Sequence, residues 1–285
     1  MTVLESSRAL RAERRSAAAK TVGRSSLNAL ITLLVVLAAW QAIVSFTGIS
    51  PYVAKGPMEV WNFLFVDDPE RNKTALENRD VLAPLVVQTL NDSLLGFVVG
   101  MAIAVVLAVL FTLSKTVESG VMPLALLMRS IPLVSIAPVI ILLTGRGTPA
   151  SVAVIGSIVV LFPALASVMF GLSRASREAL DLVHVYGGGT LAALLKVSIP
   201  GALPSLFAAA RVSVPGAVTG ALLAEWLSTG TGIGGSILKF NASAQFEYLW
   251  SSVALITFIT LLLYNIVQVI ENVVLARTGM REALR

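Results

Sequence analysis

The amino-acid sequence predicts an all-α polytopic membrane protein with six helical spans, and three observations carry that expectation. Of 285 residues, 56% are hydrophobic and 13% charged, with a mean hydropathy of +0.86; a water-soluble domain carries about a quarter charged residues. Uncharged apolar runs recur that reach about 20 residues, the length that crosses a ~30 Å hydrocarbon core. Basic residues are also distributed unevenly between alternate connecting segments.

Residues 1–26 form a basic tail with Arg8, Arg11, Arg14, Arg15, Lys20 and Arg24 against Glu5 and Glu13. It supplies most of the formal net charge of +5. Such a tail directly before a first span is a positive-inside signal, not a nucleic-acid footprint. The first span is Leu27–Phe46. It is too long for the apolar core of a signal peptide and no small-residue cleavage site follows, so it is expected to be an anchor. A long segment, Thr47–Val87, then carries Pro51, Pro57, Pro69 and Pro84 and a charged patch at Asp67–Lys73; a short surface helix is expected around Met58–Val66.

The second span, Ser93–Leu113, contains Gly96-x-x-x-Gly100, a small-residue pair that lets helix backbones approach, here read as packing within one subunit. The third, Gly120–Thr144, holds Pro123, Pro132 and Pro138, and must bend or break because proline removes a donor and clashes with the preceding turn. Pro149–Leu172 is the fourth span. A polar loop, 174–202, leads to the fifth, Leu203–Leu227, and the sixth is Tyr248–Ile270; residues 277–285 form a C-terminal tail. With six spans alternating, the tail side holds 13 bases and the other side 6, which places both termini in the cytoplasm. Trp226, Tyr248 and Trp250 then fall at the outer interface, where amphipathic rings settle.

Enzymatic chemistry finds little support. The chain has no cysteine and one histidine, His184, and lacks G-x-S-x-G and H-E-x-x-H. No metal or cofactor site is expected. Gly230-Thr-Gly232-Ile-Gly-Gly235 matches G-x-G-x-x-G formally, but a membrane helix precedes it where a dinucleotide site needs a strand; it is read as a flexible turn between spans five and six. The phosphate loop G-x-x-x-x-G-K-[ST] is absent, so an ATP-driven process would need a separate motor polypeptide.

Three ionisable residues lie in or at the edge of apolar spans: Arg129, Arg211 and Glu225. A charge in hydrocarbon costs ~2.5–3.5 kcal/mol at the helix centre, so each is expected to pair or to face water. Arg129 and Arg211 sit deep, where they either line a pathway or pair with an acid to fix packing. Glu225 lies near the outer end of its span, where it can reach the interface. Broken backbone at membrane depth also lines cavities, so Pro132 and Pro138 join these three as pathway candidates.

The most specific segment is Asp181-Leu-Val-His-Val-Tyr-Gly-Gly-Gly-Thr190, running on through Lys196 to Ile199-Pro200 and Pro204. It reads as helix, break, helix: Gly187–Gly189 free the backbone to turn, and Pro200 and Pro204 are expected to stop the second helix. A short helix held parallel to the membrane face suits a partner's groove.

Asp181, Gly187 and Ile199-Pro200, with their spacings, resemble the EAA loop of binding-protein-dependent ABC-importer permeases. Arg129-Ser-Ile-Pro132-x5-Pro138, Phe162-Pro163 and Ala224-Glu225-Trp226 with Thr231-Gly-Ile-Gly234 are similar to further motifs of that family. The resemblance covers about residues 80–275 and leans toward its nitrate/sulfonate/taurine branch. Glu178-Ala179-Leu180 imitates EAA but stands three residues too early, so Asp181 is aligned. Two departures are Asp-Leu-Val in place of Glu-Ala-Ala and Leu143-Thr144 in place of an aromatic pair. The resemblance implies the six-span MetI-like fold of type I importers and a homodimer. It also implies two cytoplasmic ATPases docked on the loop of Asp181, Gly187, Ile199, Pro200 and Pro204, and an extracytoplasmic solute-binding protein. The solute is expected to be nitrate-, sulfonate- or taurine-like, or a small heterocycle. A secondary transporter or channel, the alternative, usually shows inverted repeats and acid or His relays at midspan, which this sequence lacks.

Overall fold

The computed structural model describes residues 31–69 and 74–277, apart from the side chains of Met128 and Arg129. The basic tail 1–26, the C-terminal tail beyond Arg277 and the side chain of Arg129 lie outside the described residues. Helices, and no strand, form among them. They are α1 Ile31–Phe46, α2 Pro57–Phe65, α3 Ala75–Leu113, α4 Lys115–Ser130, α5 Leu133–Thr144, α6 Pro149–Ser173, α7 Arg177–Val185, α8 Thr190–Gly201, α9 Leu203–Thr229, α10 Gly232–Ala242 and α11 Phe246–Arg277.

By length and composition, α3, α6, α9 and α11 are long and apolar enough to cross a membrane. The other two expected spans appear as α1 and as α4 with α5. The break at Ile131–Pro132 has a local cause: Pro132 stands as the N-cap of α5 and pushes the residue before it into extended geometry. Pro123 and Pro138 stay inside their helices. The expected surface helix is α2, started by Gly56, whose N–H donates to Glu59 Oε2 at 3.1 Å.

Local signals start the long helices. Thr74 Oγ1 accepts from Glu77 N while Glu77 returns a bond to the Thr74 N–H, a capping box at the head of α3. Thr148 Oγ1 accepts from Ser151 N at the head of α6, with Pro149 in the first turn. At 39 residues, α3 is about 58 Å long at 1.5 Å per residue. It therefore stands well past a hydrocarbon core at one end.

The centre is a three-helix seam. A Cβ on Gly96 or on Gly220 would sit 2.8 Å from the Cα of Gly156, and one on Gly100 would sit 2.7 Å from Val160 Cβ. So α3 and α6 run in the same direction, α9 runs antiparallel, and all three backbones meet at Gly156. Lipid tails are as apolar as leucine, so such helices associate through close packing and not through exclusion of water. Below the glycines the seam is filled by Ala104, Ala108 and Phe111 of α3, Val160, Ala164 and Val168 of α6, and Ala209 and Ala217 of α9. Gly96 and Gly100 thus pack within the subunit, as expected.

Candidate functional site

At one end of the bundle the polar loop forms a bent pair of helices. Ser176 Oγ accepts from Ala179 N at 3.2 Å and caps α7, with Glu178 in the first turn favouring the helix dipole. Gly187 N donates to His184 O at 2.9 Å and Gly188 N to Val183 O at 2.8 Å, which is a Schellman closure. Its left-handed residue is Gly187, at φ +81°. The bend expected at Gly187 is there. The neighbouring constraint was missed: a Cβ on Gly188 would lie 2.5 Å from Val183 Cγ1 and 2.9 Å from Val183 O, whereas one on Gly187 meets nothing within 4 Å. Gly187 is required by torsion and Gly188 by space.

No residue of α7 is buried. Leu182, Val185 and Tyr186 are 57%, 82% and 84% exposed, and Leu191, Leu195 and Ile199 of α8 are also exposed. Asp181 stands exposed among them. By contrast Ala193 and Leu194 are buried, and Leu194 belongs to the same buried cluster as Leu165, Val168 and Leu172 of α6, which fixes α8 to the bundle. The expectation that Pro200 and Pro204 stop α8 needs correction. Pro200 lies within the helix, just past a widened π-turn at Leu194–Ser198, and the chain breaks at Ala202; Pro204 sits in the first turn of α9, where no backbone donor is needed.

Glu225 does not reach an interface. It is fully buried. α9 widens into a π-turn over Glu225–Thr229, and this turn aims the carboxylate at the start of α10. Gly234 N donates to Glu225 Oε2 at 2.7 Å and Thr89 Oγ1 lies 3.0 Å from the same oxygen; Ile233 N donates to Thr89 Oγ1 at 2.8 Å. Thr231, the residue that precedes α10, makes no side-chain cap. Glu225 and Thr89 therefore cap α10 from two other helices, with oxygen acceptors placed at its N-terminal N–H groups. The glycines 230–235 are correspondingly not a loose turn. Only Gly230 and Thr231 form the turn, with Gly230 at φ +65°; a Cβ on Gly232 would overlap the Glu225 carboxylate, and one on Gly235 the Gly230 backbone. Beside this clasp, Ser228 Oγ lies 2.8 Å from Ser151 Oγ and accepts from Gly147 N at 3.0 Å, tying α9 to the head of α6.

Arg211 also has a partner, and it is not Glu225. Its Nη1 lies 3.2 Å from Glu271 Oε2 of α11, and its guanidinium stands 5.8 Å from the Tyr264 ring centre. The pair is largely covered, with side-chain exposures of 25% and 13%. Glu271 escaped the sequence reading because it falls just past the last uncharged run. Pro132 separates α4 from α5, Pro138 lies inside α5, and neither approaches Arg211 or Glu225 in any described hydrogen bond or ion pair.

Apart from Thr89, these features fall within one family model. The description "Binding-protein-dependent transport system inner membrane component" matches residues 96–279. The chain belongs to this family. It is a multi-pass permease of the ABC-importer kind. A "Probable ABC transporter permease protein" of Haemophilus influenzae is 27% identical over 238 residues, covering 84% of this chain and 92% of that one. The "Formylaminopyrimidine transport permease protein ThiX" of Halalkalibacterium halodurans is 23% identical, covering 88% and 95%. The "Riboflavin transport system permease protein RibX" of Chloroflexus aurantiacus is 25% identical, covering 87% and 88%. Among solved structures, the "Crystal structure of an amino acid ABC transporter with histidines" matches with a TM-score of 0.53 at 16% identity, over 67% of this chain and 94% of that one. That likeness confirms the fold. None of these relatives singles out the nitrate/sulfonate/taurine branch.

Proposed function

We propose that this permease carries an uncharged heterocycle inward, powered by a separate ATPase that grips the α7–α8 elbow. The observation that carries the docking is the bare α7. A nine-residue helix with no buried residue, exposing Leu182 and Val185 and followed by the exposed Tyr186, is marginal on its own, and exposed apolar side chains of this kind mark an interaction surface. The rigid bend at Gly187–Gly188 and the seating of Leu194 in the bundle would transmit motion of that patch into α6 and α9. This reading puts α7, α8 and both termini in the cytoplasm, with the solute-binding protein at the α2–α10 end and two copies of the chain forming the pathway.

The solute class is argued from charge. A pathway for nitrate or a sulfonate needs an unpaired cation, and among the described side chains the deep candidate, Arg211, is paired with Glu271. An apolar recess of about 290 Å³ lies between α9 and α10, lined by Thr219, Leu222, Leu223, Trp226, Ile237 and Leu238. Its aromatic wall suits a flat ring. Two of the relatives are named for formylaminopyrimidine and riboflavin transport, which points the same way.

Reconstitution in liposomes tests both halves. Uptake of a radiolabelled pyrimidine is expected only when the ATPase, ATP and the binding protein are all supplied. ATP-independent concentrative uptake by the chain alone would favour a secondary transporter. Uptake of sulfonate but of no heterocycle would refute the solute class and leave the docking untouched.

A further inference from the structure

Beyond marking the end where the solute-binding protein is placed, the segment between α1 and α3 has no role in the reading above, and its helix α2 is two-faced. Val60 and Leu64 are buried against Leu82 of α3 and Phe240 of α10. On the opposite face Met58, Trp61 and Phe65, spaced three and four residues apart, are 65%, 58% and 51% exposed. The Trp61 and Phe65 rings pack against each other, tilted by 39°, with centroids 4.5 Å apart. Large apolar side chains set out at this spacing on a helix that is already anchored from behind form a surface and not a core.

Two observations identify what covers it. The first is level. Phe63 of α2 meets Tyr248 edge-on at 4.8 Å, and Tyr248 is where the uncharged run of α11 begins. At the same end Trp40 of α1 stacks on Trp250 at 5.9 Å, and their indole N–H groups donate to Lys55 O and Val53 O. Rings with one apolar and one polar side gather at the headgroup boundary. The second is continuity. Leu76, Ala83, Val87, Leu94 and Val98 lie on one exposed face of α3, at intervals of seven, four, seven and four residues. This stripe runs from the middle of a membrane-spanning helix to the turn that holds Arg79, whose guanidinium stands 5.9 Å from the Phe65 ring. The exposed apolar face of α3 thus leads from Val98 toward α2, interrupted by the exposed polar side chains of Asn91 and Asp80.

We infer that α2 is an interfacial helix, with Met58, Trp61 and Phe65 set into the headgroup–acyl boundary of the bilayer and Arg79 reaching the lipid phosphates. Its buried face couples that boundary to α3, α10 and α11. Helix α2 would then hold the end of the bundle at a fixed depth, as amphipathic interfacial helices do. The inference depends on the multi-pass membrane assignment and not on ATPase docking or on the solute.

The chain has no cysteine, so one introduced thiol gives one label. A spin label on Met58→Cys, in full-length protein in phosphatidylcholine nanodiscs, is expected to collide with oxygen and to be shielded from a water-soluble nickel chelate. A label on Ser243→Cys, exposed in the turn after α10, should show the reverse. Independently, the emission lost in Trp61→Phe should be mostly quenched by phosphatidylcholine brominated high in its acyl chains and little affected by acrylamide. Nickel contact at position 58 together with acrylamide quenching at Trp61 would overturn the inference, since the stripe would face water. Shielding from oxygen, nickel, bromine and acrylamide alike would also overturn it, since a second copy or a protein partner would then cover the stripe.

Discussion

Removing the Glu225 carboxylate is the most direct probe of how α9 holds α10. In Glu225→Ala, Gly234 N loses its acceptor at a fully buried site. Thr89 keeps an alternative acceptor in Leu85 O at 3.1 Å and still receives Ile233 N, so only one donor is truly stranded. A buried unsatisfied donor costs about 1–3 kcal/mol. The space vacated by the side chain adds about 1–2 kcal/mol if it does not collapse, and relief of carboxylate desolvation returns part of this. A net loss of about 2–4 kcal/mol follows. Glu225→Gln keeps an oxygen toward Gly234 and should lose less than about 1.5 kcal/mol, the worth of one ordinary hydrogen bond. The assay is thermal unfolding in mild detergent, followed by loss of the monodisperse chromatographic peak, with hydrogen exchange at Ile233 and Gly234 as the local readout. If the alanine variant unfolds with the wild type and its α10 amides stay protected, the clasp is not what secures α10.

Arg211→Met alone leaves Glu271 uncompensated and should destabilise the chain by about 1–3 kcal/mol, less than the 3–5 of a fully buried pair because both groups retain some exposure. Adding Glu271→Leu should restore stability and uptake of a heterocycle; loss of transport that the double variant does not rescue would mean that Arg211 contacts the solute. In the elbow, Gly188→Val should weaken co-purification with the ATPase as Gly187→Val does, because a Cβ at Gly188 meets Val183 Cγ1 at 2.5 Å and its carbonyl oxygen at 2.9 Å whereas Gly187 is held by its left-handed torsion; an intact complex from both would reduce α7–α8 to a connector. Asp181→Ala should reduce ATPase-coupled uptake more than Glu178→Ala, and the opposite order would shift the motif register by three residues. At the seam, Gly156→Val should cost about 1–3 kcal/mol of overpacking, since a Cβ there meets the Gly96 backbone at 2.8 Å. Unchanged thermal stability would show that the three helices are not in contact at Gly156.

Local composition was enough to determine the class and the order of elements. Apolar length announces a span whatever it packs against, because the bilayer sets that length. The glycine after α7 and the proline at the α4–α5 break act through their own backbones, so both were legible as residues. Partnership was not. Arg211 reads identically whether it lines a pathway or neutralises an acid, and only the antiparallel packing of α9 on α11 brought Glu271 to it across the bundle. Glu225 reads as an interfacial acid from its place near a span's end, yet α3 and α10 close over it and give it a hydroxyl partner in Thr89 and a backbone partner in Gly234 N. Gly232 and Gly235 look like slack in the sequence and prove to be clearance, for the Glu225 carboxylate and for the Gly230 backbone. Proline, glycine and apolar length speak through the chain they are part of; an ion pair or a close approach depends on a residue tens of positions away, and three-dimensional packing alone decides which residue that is.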